Sequence, residues 1–267
     1  MISVPLIKRD WKDNWKLVMT TTLFLLLYMG IMVAMYDVVK GDQIETVPQS
    51  FVYYLCMALD IQTGILDNLN QFLIDTIYGF CFLLIPMIFE IVAARRLMVK
   101  MVRDGMMVWI LSTPNSRSRV GATQAVFLVS SLAFQTVVTI AVGIGAMLFF
   151  VPQDMELVGY LRMNLGAFLL HFMLGGFCFF ISCTANGNKS YYRITVGVLG
   201  TFFVMHLLGN LGGFLSYLQY VTIFSLCQPQ KILMGENKAY LFMTVMGLLG
   251  VLFYWGGVQK FKKKNFL

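Results

Sequence analysis

The sequence predicts an all-α polytopic membrane protein, and three observations carry that reading. Of 267 residues, 58 % are apolar and only 12 % charged, against roughly 25 % charged in a soluble domain. The mean hydropathy is +0.75. The apolar residues fall in runs of about 20, the length that crosses a hydrocarbon core as a helix. Six such spans use roughly 120 residues, which leaves loops but no second folded domain. A net charge of +7 would point to nucleic acid in a soluble chain. Here it is read as topology, and no nucleic-acid partner is expected.

Residues 1–16 mix Lys8, Arg9, Lys12 and Lys16 with Leu6, Ile7, Trp11 and Trp15. Four-residue spacing puts both tryptophans on one helical face, so an interfacial amphipathic helix on membrane lipid is expected. The first span is placed at 17–36. It is too long for a signal-peptide core, and no small-x-small cleavage site follows it. Residues 37–71 carry Asp37, Asp42, Glu45, Asp60 and Asp67 against Lys40 alone, which reads as an external segment. The second span, 72–93, contains Pro86, a kink that neighbouring helices must satisfy. The third span is 120–150, and a turn with Asp154 and Glu156 ends it. The fourth is 160–184 and the fifth 194–210. Residues 211–238 are broken by Gly212-Gly213 and Pro229, too interrupted for a span. The sixth span is 239–258, and 259–267 form a basic tail. Glycines such as Gly175-Gly176, Gly247 and Gly250 stand where helices would approach closely.

Charge decides the orientation. The N-terminal segment (Lys8, Arg9, Lys12, Lys16), the segment between spans 2 and 3 (Arg95, Arg96, Lys100, Arg103, Arg117, Arg119), Lys189 with Arg193, and the tail (Lys260, Lys262, Lys263, Lys264) hold most of the basic residues. The opposite loops hold only Lys40, Arg162, Lys231 and Lys238. The positive-inside rule then puts both termini in the cytoplasm, in agreement with an even number of spans. Cys56, Cys81, Cys178, Cys183 and Cys227 form no CxxC pair and fit no zinc spacing. Cys56 and Cys227 fall in the outward segments, where an oxidising exterior permits a disulfide. No metal site is expected.

The segment after span 2 carries the sharpest signal: AARRLMVKMVRDGMMVWILSTPNSRSRVGATQA. Met106–Leu111 is almost wholly apolar yet lies between arginines. Asp104 can cap a helix N-terminus, and Pro114 stops that helix by forcing Thr113 out of the α region. A two-turn apolar helix outside the bilayer marks a docking surface; the plainer reading is a helix resting on lipid.

The pattern Asp104-Gly105-x-Met107-x-x-Ile110-Leu111-Ser112-Thr113-Pro114-x-x-Arg117, between spans 2 and 3, resembles the type-2 ABC exporter permeases. Ala94-Arg95-Arg96-Leu97, Thr123-Gln124-Ala125 and, more loosely, the His171–Cys183 stretch resemble Gram-positive members. Val108 and Gln124 depart from the family's polar and basic residues. The resemblance implies a cytoplasmic coupling helix seated in a cleft of a separate ATPase. Arg103, Asp104, Gly105, Met106, Met107, Trp109, Ile110, Leu111, Pro114 and Arg117 would form the contact. It implies two copies of an ABC ATPase subunit, paired with a second copy of this permease or a related one, in a bacterial plasma membrane. ATP and Mg would be bound by the ATPase, with no cofactor in this chain.

The residues agree that the chain is no enzyme. Gly187-Asn188-Lys189-Ser190 lacks the glycines of a phosphate loop, and no HExxH or GxSxG occurs. The expected function is the permease subunit of an ATP-driven exporter. Its cargo class, from the resemblance and an adaptable surface rich in Met and Phe, is an amphipathic peptide or other hydrophobic toxin or drug. The alternative is an ion- or proton-coupled secondary transporter without an ATPase, which would use buried ionisable groups. Its candidates are Asp75, Glu90, His171 and His206. By position, Asp75 and Glu90 are expected at the ends of span 2, and His171 and His206 deeper, each bonding a neighbouring helix.

Overall fold

The computed structural model describes residues 2–41, 72–74, 78, 80–107, 116–150, 156–185, 187–211 and 213–264. Among them the regular structure is entirely helical. The long helices are α1 (Val4–Gly41), α2 (Cys81–Ala94), α3 (Arg117–Phe150), α4 (Leu157–Thr184), α5 (Asn188–Asn210) and α6 (Asn237–Lys263). Five of these, all but α2, are long and apolar enough to cross a membrane. The described part of the second expected span differs. α2 has 14 residues, then continues as a π-helical segment, Arg95–Lys100, and a last α turn, Met101–Arg103. Its end therefore runs past the expected Ala93 into the basic segment. Residues 42–71, with Cys56, and 151–155 lie outside the described residues.

α4 is the central helix. It packs against α6, α2, α3 and the short helix Pro229–Met234. Its apolar stretch is 56 % buried, against 22–33 % for the other four spanning candidates, so those four leave most of their apolar surface outward. The main core gathers Phe89, Leu97, Phe127, Leu170, Phe179, Tyr191 and Phe261. A second cluster joins Leu25, Met29 and Val33 of α1 to Tyr78, Met147 and Tyr160.

The α4–α6 crossing depends on glycine because the backbones meet there. A Cβ on Gly176 would lie 3.0 Å from the Gly250 carbonyl oxygen and 3.1 Å from Phe253 Cβ. One on Gly250 would collide with the Phe172 ring, and one on Gly257 would sit 2.7 Å from Phe179. Interfaces of this kind rest on packing, since lipid is as apolar as the side chains.

The interrupted segment after α5 is a run of short elements. Two 3-10 turns, Gly213–Ser216 and Ile223–Leu226, alternate with α turns Tyr217–Val221 and Pro229–Met234. Pro229 stands in the first turn of its helix, where a missing N–H costs nothing. The segment folds inward: Phe224 and Ile232 are buried, and Ile232 Cδ1 reaches 2.7 Å from where a Gly166 Cβ would be. Cys227, in a segment expected to face outward, is a free thiol partly buried against the core, and burial pushes it up to about 12.

Gly250→Leu should destabilise the protein by about 1–3 kcal/mol through overpacking. Gly197→Leu, whose added Cβ meets open space, should stay within about 0.5 kcal/mol. Thermal unfolding in detergent checks both; equal effects would disprove a glycine-dependent crossing.

Candidate functional site

The basic segments converge at one end of the bundle. The Ser3 backbone N–H donates to Thr123 Oγ1 (3.0 Å), and the Arg9 guanidinium reaches Met106 Sδ (3.4 Å). Arg9 also pairs with Asp13 one turn on, at 3.4 Å. Trp11 packs edge-on against Phe127 and Phe134 of α3, at 5.5 and 5.8 Å between ring centres. Each such contact contributes about 0.5–1.5 kcal/mol beyond area burial. The two tryptophans therefore differ: Trp11 faces protein, while Trp15 is half exposed. α1 runs unbroken through residues 16 and 17, so the amphipathic stretch and the first apolar run are one helix.

Asp10 lies in that docked stretch, wholly buried, with Gln124 of α3, also wholly buried, as the polar group facing it. Burial raises its carboxyl to about 7; Gln124 and neighbouring Arg9 pull the other way. Gln124, which departs from the basic residue of the resembled family, lies against this acid.

The expected coupling segment is described up to Met107. Asp104 N–H donates to the Lys100 carbonyl (2.9 Å) and Gly105 N–H to Val102 (3.2 Å), closing the preceding helix. Gly105 has φ of +70°, a conformation glycine adopts without steric cost. The Asp104 carboxylate accepts from Arg103 Nε at 2.8 Å. Met106 is half-buried, and Met107 is buried in the main core. Trp109, Ile110, Leu111 and Pro114 lie outside the described residues.

Arg117 opens α3 and donates to the Lys264 carbonyl (2.6 Å). Lys264 in turn donates from Nζ to the carbonyls of Cys183 and Ala185, at the end of α4. An ammonium there answers both the unpaired carbonyls and the negative end of the helix dipole. Burial lowers the Lys264 ammonium from its usual range. On the neighbouring side, Arg95 donates to the Tyr192 hydroxyl (3.1 Å) and lies over its ring.

Farther into the bundle runs a seam of polar groups. Gln135 Nε2 donates to Thr21 Oγ1 (2.6 Å), Tyr160 to the Thr139 carbonyl (3.3 Å), and Asn164 to the Tyr160 carbonyl (2.9 Å). His171 sits between Glu90 Oε1 (3.1 Å from Nδ1) and the Phe82 carbonyl (2.6 Å from Nε2). Glu90, expected at a span end facing the interface, is 2 % exposed and enclosed by α4. Its acid group lies on the inner side of α2, which sequence position alone does not reveal. His171 bonds a neighbouring helix, as expected. Asp75 lies outside the described residues, and the His206 ring packs on Phe224 at 5.5 Å. Gln135, Asn164 and Thr21 escaped the sequence reading. Their signal was an amide or hydroxyl inside an otherwise apolar run, a weak one because such groups also bond their own helix. Among the described residues no cluster of three or more His, Cys, Asp or Glu could hold a metal.

Two outcomes follow from the basic end. Asp10 binds its proton more tightly folded than unfolded, so its contribution is fully present below the ordinary 3.8 and is lost as pH rises through about 7. The unfolding temperature of the wild type should fall between about pH 5 and pH 8 relative to Asp10→Asn; parallel curves would rule this out. Lys264→Met should speed amide exchange in the last turn of α4 and leave α1 unaffected, as read by exchange mass spectrometry.

No family model, curated protein or solved structure matches this chain.

Proposed function

We propose that this chain is the membrane permease of an ATP-driven exporter in a bacterial plasma membrane, with six spans and both termini in the cytoplasm. The observation that carries the orientation is the convergence at one end. Segments that the charge count assigns to a single side are bonded to one another: Arg9 to Met106, Arg117 to Lys264, Lys264 to the end of α4. The described residues of the coupling motif, Asp104 to Met107 and Arg117, belong to that end. Arg103, Asp104 and Gly105 form a glycine-closed turn there, followed directly by the apolar run Met106–Leu111.

In this reading two ABC ATPases bind ATP and Mg and seat the coupling helices of two permeases. Their closure moves the permease pair between states through differential affinity. The cargo is an amphipathic peptide or similarly hydrophobic toxin or drug. Trp109, with Met106 and Ile110 at helical spacing, is the anchor of the contact. Arg103 and Arg117 contribute less, since exposed ion pairs are worth about 0–1 kcal/mol and Arg117 already holds the Lys264 carbonyl.

The test is reconstitution with the ATPase encoded nearest to it. Trp109→Ala should weaken the complex by roughly 30-fold to 1000-fold, as for loss of a buried anchor of about 2–4 kcal/mol. It should also uncouple hydrolysis from export, while Arg103→Ala does much less. Unchanged assembly and export in Trp109→Ala, or export by the chain alone without any ATPase, would refute the proposal.

A further inference from the structure

Pro86 has no N–H, so the Phe82 carbonyl one turn earlier loses its ordinary donor within α2. His171 of α4 supplies one, with Nε2 2.6 Å from that oxygen. A carbonyl oxygen only accepts, so Nε2 carries a hydrogen. That leaves two states for the other nitrogen, a lone pair in a neutral ring or a second N–H in an imidazolium. In a neutral ring Nδ1 then has a lone pair, and it faces Glu90 Oε1 at 3.1 Å. A lone pair and a carboxylate oxygen do not make such a contact without a hydrogen between them. One proton therefore lies there. Glu90 and His171 are 2 % and 3 % exposed, and Glu90 Oε2 has no hydrogen-bond partner among the described residues. A carboxylate would leave charge on that unpaired oxygen, whereas a carboxylic acid leaves only a neutral carbonyl. The proton rests on Oε1 and is donated to Nδ1.

Among the described residues no lysine or arginine pairs with Glu90 to offset its loss. The titratable groups facing Glu90 are Cys178 on α4, Tyr191 on α5 and Tyr254 on α6. Tyr254 Oη and Glu90 flank Gly175 from two sides, 2.8 and 3.6 Å from where its Cβ would be. On the α3 side, His171 lines a cavity of about 20 Å³ with Gln135, Thr136, Thr139 and Asn164. That is room for one water, and Gln135 Oε1, its amide fixed by the bond to Thr21, has no partner among the described residues. α2 is interrupted on both sides of Glu90: by Pro86 before it and by the π segment Arg95–Lys100 after it. Both are places where a helix bends.

We propose that Glu90 and His171 form a proton-binding site that clamps α2 to α4, closed while the shared proton is present and open once it leaves. On opening, the Glu90 O–H bond breaks, its electron pair stays on Oε1, and the proton passes to a water that enters between Glu90 and His171 from the cavity that His171 lines. The carboxylate then faces the Nδ1 lone pair, the contact parts, and α2 swings at its two interruptions. The site lies away from the basic end and does not rest on the ATP-driven reading; in either kind of transporter it makes the α2–α4 contact responsive to protons.

The experiment uses the full chain in lipid nanodiscs. Infrared spectra over a pH series should show a carboxylic-acid C=O band at neutral pH that Glu90→Gln removes and that alkali converts to carboxylate. Glu90→Gln retains an N–H for Nδ1 and so imitates the protonated state. At each pH, exchange of α2 amides is compared between the two proteins. They should match at low pH; as the acid band disappears the wild type should exchange at least about tenfold faster, and Glu90→Gln should not. Nitrogen NMR of the wild type, with His206→Gln to assign the two histidines, should show His171 as the neutral Nε2–H tautomer, a measurement that stands if Glu90→Gln fails to fold. Absence of the acid band, an imidazolium signal at neutral pH, or equal loss of protection in Glu90→Gln would each overturn the proposal.

Discussion

A chain built for an apolar solvent must satisfy its own backbone, because lipid offers neither donors nor acceptors. That constraint organises this bundle. Where α2 loses an N–H at Pro86, a histidine from α4 covers the freed carbonyl. Where α4 stops, Lys264 covers the last carbonyls. Threonine and serine side chains along the helices turn back to carbonyls three or four residues earlier, as Thr22, Ser131 and Thr139 do. The short helical turns after α5 tuck Phe224 and Ile232 into the core, while Phe214, Tyr217, Val221 and Met234 stay exposed.

The same constraint explains why α4 is central. It meets α6 through glycines, α2 through a buried acid–histidine pair, and the segment 229–234 through Ile232 at Gly166. These contacts differ in kind. Glycine packing contributes through many small dispersion terms, whereas an interhelical hydrogen bond such as Gln135 to Thr21 is worth roughly 0.6–2 kcal/mol in a membrane. Removing one partner of a buried ionisable pair costs more, about 3–5 kcal/mol when the other is left charged. A pair that holds a single proton avoids that cost by remaining neutral.

Much of the architecture was legible in the sequence because hydropathy reports apolar length directly. The expected spans 120–150 and 160–184 fall inside α3 and α4. Helix ends were less legible: α6 continues to Lys263, past the expected end of its span at 258, because hydrogen bonding does not stop where hydropathy does. Long-range partners were not legible at all. Pro86 announces a carbonyl in need of a donor, but nothing local says that the donor is 89 residues away at His171. Asp10 is a second case: it stands in a basic amphipathic segment, and only the packing of Trp11 on α3 shows that the same turn is covered. The burial of Met107 was not legible either, since an apolar run does not say which of its residues face inward.

The cap on α4 also constrains how the protein is made. Lys264 lies 81 residues after Cys183, whose carbonyl it covers. During synthesis α4 enters the membrane long before its cap exists, and its final turn stays open to water and headgroups until α6 has been inserted and Lys264 has left the ribosome. The last turn of the central helix is thus completed only from the residue that follows α6.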